Sequence, residues 1–193
     1  MSTQYIAALF INNIKRHNID ECIELLNKYN HFYDFVYENK TTLLMHTCLT
    51  DSEQMAIELI KRGANIHPRD KHDCSALLYA CTSSMSVAGS MLVDKIDVIT
   101  FKDTHYRQVF TVACNYKLKT IVEKIAIRDT AFTRLLHPES TPELWHIKQD
   151  LVDKYKSVIH DTINSKSDDN ALYIAFCTTY VPSLVDIIVG FIL

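Results

Sequence analysis

The histidines and cysteines of this chain first suggest a metal site, and there are nine histidines and six cysteines. The densest group is His67, His72 and Cys74, which we predict to lie in one loop. A zinc site needs four ligands, or three with one open position, and the spacing of this group matches no familiar site. The pattern therefore favours an exposed polar turn, and we expect no cofactor.

A cysteine nucleophile needs a nearby base and an accessible, electropositive setting. Cys74 has His72 two residues away, but two residues in a turn do not make an oriented pair. Four other cysteines fall on predicted apolar helix faces: Cys22, Cys48, Cys81 and Cys114. The sequence also has no phosphate loop, nucleophile elbow or paired-acid pattern. We therefore expect a protein that is not an enzyme. A small-ligand or metal-dependent activity around His72 and Cys74 is the second alternative.

Composition narrows the class of protein further. The chain has 193 residues, of which 48% are hydrophobic, so it can bury a core. Its 20 basic and 23 acidic residues give a net charge of -3, which disfavours a dedicated nucleic-acid binder. Only 3 residues are glycine, although phosphate-binding crevices and most hairpin turns depend on glycine. The composition therefore predicts helices joined by short polar turns.

One spacing recurs along the chain, and we call it the repeat step. Residues 42–48, 75–81 and 108–114 each start 33 positions after the segment before (75 − 42 = 33; 108 − 75 = 33), and each ends in cysteine. The position before that cysteine is small in all three segments: Thr47, Ala80 and Ala113. Further positions keep the same step, among them Leu59, Leu92 and Ile125. Small side chains let neighbouring helices approach closely, and cysteine behaves as a small buried residue, so the spacing predicts stacked helical repeats.

These segments resemble the ankyrin repeat, a 33-residue unit with a Thr-Pro-Leu-His-x-Ala-Ala opening. Residues 42–70 carry the Thr-x-Leu opening, a helix ending at Gly63 and then Asp70, although the proline is missing. The resemblance implies an all-α fold, an ankyrin-like helical repeat solenoid of about five to six units with an irregular helical C-terminal cap. Residues 1–129 would hold the repeats, including an N-terminal capping repeat. Residues 130–193 would form a divergent helical repeat or cap.

The two ends of the chain are less regular. At the N-terminus we expect Leu9, Ile11 and Ile14 to bury one helix, and residues 19–26 to form the second. Further along, Thr141 followed by Pro142 predicts a helix start, with one long helix or two short ones broken near residues 149–150. Residues 171–176 resemble another repeat opening, and residues 181–193 predict an apolar closing helix.

The closing segment has a second interpretation. Residues 182–191 read Pro-Ser-Leu-Val-Asp-Ile-Ile-Val-Gly-Phe, which looks like the start of an F-box helix. It is also similar to the tails of ankyrin proteins from large DNA viruses, which recruit ubiquitin ligase scaffolds. A plain capping helix gives the same pattern. An adaptor that recruits a ligase scaffold through this helix is therefore the first alternative.

The family resemblance also implies where a partner would bind, namely at the turn tips and the exposed side of the first helices. It places in those positions the residues His46, Arg69, Lys71, His72, Asp73, Tyr79, Lys102, His105, Tyr106 and Arg107. The expected function is a non-catalytic protein–protein interaction module, an ankyrin-type scaffold or adaptor. A viral or effector protein that binds a host protein is one form of it.

The expected partner is another protein, with neither nucleic acid nor membrane. The longest apolar candidate, residues 184–193, is interrupted by Asp186 and is shorter than the roughly 20 residues that a membrane span needs. We see no export signal in the opening residues, so we expect reduced cysteines and an intracellular, cytoplasmic protein, with the nucleus also open.

Overall fold

The computed structural model describes residues 1–30, 32–96, 104–136, 139, 141–164 and 189. The chain divides into two compact units, Met1–Lys124 and Ile125–Leu193. Within the described residues the secondary structure is helical, with two isolated β-bridges and no strand. The prediction of an all-α fold is confirmed. In the same part of the chain, none of the helices combines the length and the apolarity that crossing a bilayer requires.

Helices follow one another in pairs along the first unit. The first pair is α1 (Thr3–Lys15) and α2 (Ile19–Lys28), and the second is α3 (Leu43–Leu49) and α4 (Glu53–Lys61). The third pair is α5 (Ala76–Thr82) and α6 (Ser86–Lys95), and the fourth is α7 (Thr104–Asn115) and α8 (Lys119–Arg128). Helix α8 crosses into the second unit. Helix α1 packs on α3, α3 on α5 and α5 on α7, while α4 packs on α6. First helices therefore stack on first helices, with second helices alongside.

The positions that recur at the repeat step are the buried ones. Cys48, Cys81 and Cys114 are buried free thiols, as the sequence predicted. The small residues before them are buried as well, and each one's carbonyl closes the turn that follows its helix. The amide of Met85 donates to the carbonyl of Ala80 at 2.8 Å, and the amide of Leu118 donates to that of Ala113 at 2.9 Å. The small residue at this position therefore packs in the core, and its carbonyl accepts the hydrogen bond that closes the turn after the helix.

The turn between the two helices of each pair uses a left-handed residue that is not glycine. These residues are His17, Asp51, Ser84 and Lys117, with φ of 58°, 53°, 55° and 57°. An L-residue in this conformation costs roughly 1–2 kcal/mol, which glycine would avoid. The chain thus forms the same tight turn four times with a residue other than glycine at the left-handed position. This use of other residues is reflected in its low glycine content.

Two short loops project between successive pairs, and we call them the first tip (residues 36–42) and the second tip (residues 69–75). Each is closed by an isolated antiparallel bridge, Val36 with Thr42 and Arg69 with Ser75, and the two bridges lie one repeat step apart. Thr42 and Ser75 then cap the helix that follows, their hydroxyls accepting from backbone amides at 3.3 and 3.2 Å. The main-chain amide of Lys71 donates to the carbonyl of Asn39 at 3.2 Å, which ties the two tips together.

Two glycines have distinct structural reasons. Gly63 ends α4 with φ of 86°, and the amides of Gly63 and Ala64 donate to the carbonyls of Ile60 and Leu59. This is a Schellman motif, and it confirms the predicted helix stop. Gly89 lies inside α6, where a Cβ atom would clash with the side chain of Ile121 on α8. The second glycine therefore allows these two helices to approach closely.

The buried face of α1 differs from the prediction. Ile6, Ala7, Phe10 and Ile14 are buried, whereas Leu9 and Ile11 are only half-buried. The ring of Phe10 meets that of the buried Phe32 edge-on, with centroids 5.5 Å apart. The face of α1 that carries Phe10 therefore forms the core, and Ile11 lies partly outside it. The second predicted helix is confirmed as α2.

The fourth helical pair departs from the repeat step. Helix α7 begins at Thr104, whereas Ala76 plus 33 gives position 109. Residues 104–107 are therefore helical, although the step aligns them with residues 71–74 of the second tip (71 + 33 = 104; 74 + 33 = 107).

In the second unit a 3-10 helix (Thr130–Leu135) precedes α9 (Trp145–Asn164). Helix α9 is one continuous helix with no break near residues 149–150. The predicted cap at Thr141 is wrong, because the carbonyl of Thr141 closes a turn with the amide of Leu144 and the helix starts afterwards. The predicted repeat opening at 171–176 lies outside the described residues. So does the closing helix at 181–193, except for Val189, which is helical and buried.

The left-handed turn predicts opposite effects for two serine-to-glycine changes. Ser84→Gly should raise the free energy of unfolding by about 0.5–1 kcal/mol, because Ser84 is exposed and glycine removes the left-handed strain. Ser86→Gly, two residues later in α6, should lower it, because glycine is a poor helix former. Urea titration of both variants measures the difference. Equal destabilisation by the two changes would contradict the strain at Ser84.

Candidate functional site

Nine of the ten residues predicted to bind a partner are described by the structure, and they fall into three places. The second tip carries Arg69, Lys71, His72 and Asp73. The first helices of the second and third pairs carry His46 and Tyr79, and α7 carries His105, Tyr106 and Arg107. Lys102 lies outside the described residues. The structure therefore does not gather the predicted set into one surface.

A buried carboxylate organises the second tip. Asp70 accepts hydrogen bonds from the amides of His72 at 2.8 Å and Cys74 at 3.0 Å, and from the hydroxyl of Tyr79 at 2.5 Å. Burial alone would raise the pKa of Asp70, but these hydrogen bonds, that of Tyr79 foremost, hold it below its ordinary value. Tyr79, which is half-buried, therefore fixes the tip to α5. Burial and the bond to Asp70 raise the pKa of its phenol.

Three charged or polar side chains are exposed on the second tip. Lys71, His72 and Asp73 are exposed, while Arg69 is partly buried and bridges to Asp73, its Nη1 lying 3.2 Å from Oδ1. The thiol of Cys74 donates to the main-chain carbonyl of His72 at 3.6 Å. No group of three or more metal-ligating side chains forms among the residues that the structure describes. The tip therefore offers a small charged surface.

The prediction that His105 and Tyr106 are exposed turn residues is wrong. Both are buried, because α7 has already begun and its first turn packs on α5. The Nε2 atom of His105 lies 2.8 Å from the hydroxyl of Ser75, the residue that caps α5. Arg107 is exposed on α7. His105 therefore serves the packing of one pair on the next and cannot meet a partner.

A concavity lies elsewhere, between α1 and the first tip. It is an open groove of about 660 Å³. One wall is a single stripe of α1 with helical spacing, and the other is the chain leading into the first tip. The lining residues are Gln4, Ala8, Ile11, Lys15, Phe35, Val36, Tyr37, Glu38, Asn39 and His46.

Of the nine predicted partner-binding residues that the structure describes, His46 alone lines this groove. Its Nε2 atom lies 3.0 Å from the hydroxyl of Thr41, and that hydroxyl donates its only proton to the side-chain oxygen of Asn39 at 2.6 Å. His46 must therefore be the donor through Nε2, which fixes the neutral tautomer. Burial and the charge of Lys15 lower the pKa of His46, so the ring is neutral at pH 7.

The ring of Tyr37 contacts the imidazole of His46 edge-on, with the two centroids 5.1 Å apart. Its hydroxyl is buried and makes no hydrogen bond within the described part of the chain. Burial raises the pKa of this phenol to about 12. The wall of the groove therefore contains an aromatic pair held by packing, with a neutral phenol.

Sequence reasoning missed the α1 wall because it assigned Ile11 to the core. A signal was present, since Gln4, Ala8, Ile11 and Lys15 follow one another at spacings of four, three and four residues. The stripe mixes polar and apolar residues, which is typical of a helix face at the edge of a core. It could not be assigned to a groove without knowing which side of α1 faces the first tip.

The buried cysteines carry little reactivity. Burial raises the pKa of Cys22 to about 11, with the charge of Glu21 adding to the effect. Burial also raises the pKa of Cys48, Cys81 and Cys114 to about 12. Because the thiolate is the nucleophile, these four thiols are inert at neutral pH.

No protein-family model matches the chain, and neither a curated protein nor a solved structure matches it.

Two tyrosine-to-phenylalanine changes should separate a used hydroxyl from an unused one. Tyr79→Phe removes the donor to the carboxylate of Asp70 and should lower the free energy of unfolding by about 1.5–3 kcal/mol. Tyr37→Phe removes a buried hydroxyl without a bond and should leave stability unchanged or raise it by up to about 1 kcal/mol. Denaturant titration of both variants provides the comparison. A large loss from Tyr37→Phe would mean that its hydroxyl is bonded.

The lowered pKa of Asp70 predicts a specific acid dependence. Because the folded pKa lies below the ordinary 3.8, the carboxylate stabilises the fold above that value, and this contribution is lost as the pH falls through the folded pKa. The stability difference between the wild type and Asp70→Asn should therefore be largest near neutral pH and shrink below about pH 4. Thermal unfolding across this range measures it, with exposed Asp153→Asn as the control. A constant difference would contradict the prediction.

Proposed function

We propose that this chain is a non-catalytic protein-binding module of ankyrin-like architecture, and that its partner binds in the groove between α1 and the first tip. The sequence resemblance supports the architecture, and so does the recurrence of buried cysteines, left-handed turns and tip bridges from one helical pair to the next. An array of similar helical pairs is a common framework for binding another protein through its projecting loops and first helices.

The groove is the observation that carries the proposal. Its volume of about 660 Å³ lies within the usual range for binding sites, and the groove is open to solvent. Its lining combines apolar residues, such as Ile11 and the 50% exposed Val36, with polar ends. Tyr5, next to the α1 stripe, is 56% exposed. A long open groove with apolar contacts suits a segment of another protein better than an enclosed cofactor.

The chemistry of the described residues also favours binding over catalysis. The four buried thiols have raised pKa values and are held inside the helical pairs. The thiol of Cys74 is directed at a backbone carbonyl, which does not activate it as a nucleophile. The alternative activity around His72 and Cys74 is therefore the weaker proposal.

The ligase-adaptor alternative depends on residues 181–193, of which only Val189 is described, and it stays a prediction. An intracellular location with another protein as partner fits the proposed module, since reduced, buried cysteines suit that setting. The second tip, with exposed Lys71 and His72, would be a further contact surface for a partner that extends beyond the groove.

A pair of substitutions on one helix tests the proposal. Ala8 is exposed and lines the groove, while Asn12 is exposed on the same helix outside it. Ala8→Trp should fill the groove and abolish capture of the partner from host cells, whereas Asn12→Trp should leave it intact. Quantitative mass spectrometry of the captured proteins gives the readout, with circular dichroism to show that both variants fold.

Two results would contradict the proposed site. One is a set of captured proteins that is the same for the wild type and both tryptophan variants. The other is loss of the partner from Lys71→Glu on the second tip with full retention by Ala8→Trp, which would move the binding surface to the tip.

A further inference from the structure

We infer that the groove binds an extended peptide segment that carries an aspartate or glutamate, with the acid at Lys15 and a peptide N–H on His46. This inference rests on the proposed function and specifies the chemistry of the partner. It follows from the length of the walls, the charge of Lys15 and the orientation of the His46 ring.

The dimensions of the groove fit a short extended chain. The α1 wall runs from Gln4 to Lys15, a rise of about 16 Å at 1.5 Å per residue. An extended segment covers that length in about five residues at roughly 3.3 Å each. Ala8, Ile11 and Val36 form the apolar middle of the groove, where one apolar side chain of the segment would pack.

Lys15 provides the charge that selects an acid. Its side chain is exposed, lines the groove, and makes no ion pair or hydrogen bond within the described residues. Lys15 and His46 both line the groove, and the charge of Lys15 contributes to lowering the pKa of His46 after burial. A carboxylate on the segment would complete an ion pair with Lys15.

His46 provides a hydrogen-bond acceptor beside this cation. Because Nε2 carries the proton and donates to Thr41, the Nδ1 atom carries a lone pair. Nδ1 makes no hydrogen bond within the described residues, and His46 lines the groove, so this lone pair is the acceptor that we assign to a ligand. A backbone N–H of an extended segment is a suitable donor, and a free carboxylate alone has none to offer.

Glu38 sets a limit on the same site. It lines the groove, is exposed, and makes no ion pair within the described residues. Its charge repels an acid whereas that of Lys15 attracts one, so the carboxylate of the segment should pair with Lys15. Removing the charge of Glu38 should strengthen the binding of an acidic peptide, which is the opposite of the effect of removing Lys15.

The test uses the full chain and defined probes. Two probes are N-acetylated, C-amidated pentapeptides with leucine at the centre, one with aspartate at its first position and the other with aspartate at its last. The remaining probes are the same two peptides with asparagine in place of aspartate, and N-acetyl-aspartate methylamide. Affinity is measured by NMR titration. One aspartate pentapeptide should bind about two- to five-fold more tightly than its asparagine counterpart, in keeping with a solvent-exposed ion pair.

Three variants assign the effect to the groove. Lys15→Gln should remove the preference for aspartate over asparagine, Glu38→Gln should strengthen aspartate binding, and Lys61→Gln, exposed on α4, should change neither. Nitrogen NMR of the His46 ring should show protonated Nε2 in the free protein and a shift of Nδ1 when the peptide binds.

Some outcomes would overturn the inference. These are equal binding of aspartate and asparagine peptides, no effect of Lys15→Gln, absence of saturable peptide binding, or equal binding of N-acetyl-aspartate methylamide, which would indicate a small-acid site. Loss of the cellular partner from Ala8→Trp together with any of these results would leave the proposed function intact. Full partner capture by Ala8→Trp would remove the proposed function first.

Discussion

The first unit depends on one constraint: backbone groups at the ends of one helical pair are hydrogen-bonded by side chains of the neighbouring pair. Arg62, the residue that follows α4, donates to the carbonyl of Leu26 near the end of α2, at 2.8 Å. Glu53 accepts from the amides of Val87 and Ala88, which compensates for the absence of a side-chain cap at the start of α6. Such groups would be costly if buried without partners, so one pair is incomplete without its neighbour.

This constraint explains what could be predicted from the sequence. Features that lie within one pair were predictable, because they depend on residues at fixed positions: the buried Cys48 and Cys81, and the helix stop at Gly63. The early start of α7 was not, because it accompanies a contact between His105 and Ser75 of the preceding pair. The face of α1 was also missed, since the apolar residues of α1 fit more than one orientation of the helix.

The candidate site shows the same division in a single repeat position. His46 and Tyr79 lie one repeat step apart (79 − 46 = 33) and were predicted to be equivalent, and both side chains do reach their own tip. In the second tip, Asp70 satisfies the local amides and engages Tyr79 as well. In the first tip, Asn39 accepts the local hydrogen bonds, and Nδ1 of His46 has no hydrogen-bond partner among the described residues. The 33-residue alignment therefore located the position, while the neighbouring side chains determine which hydrogen bonds each copy makes.

The positions of the buried thiols allow the separation of individual helical pairs to be detected chemically. Each of the four helical pairs contains one buried cysteine: Cys22, Cys48, Cys81 and Cys114. A thiol held at 0% exposure, such as Cys48 or Cys81, reacts with an alkylating reagent only when its own pair separates. The order in which the four thiols are modified under native conditions is therefore a readout of where the array begins to come apart. Unfolding that starts at one end would modify the four thiols in sequence, whereas cooperative unfolding would modify them together.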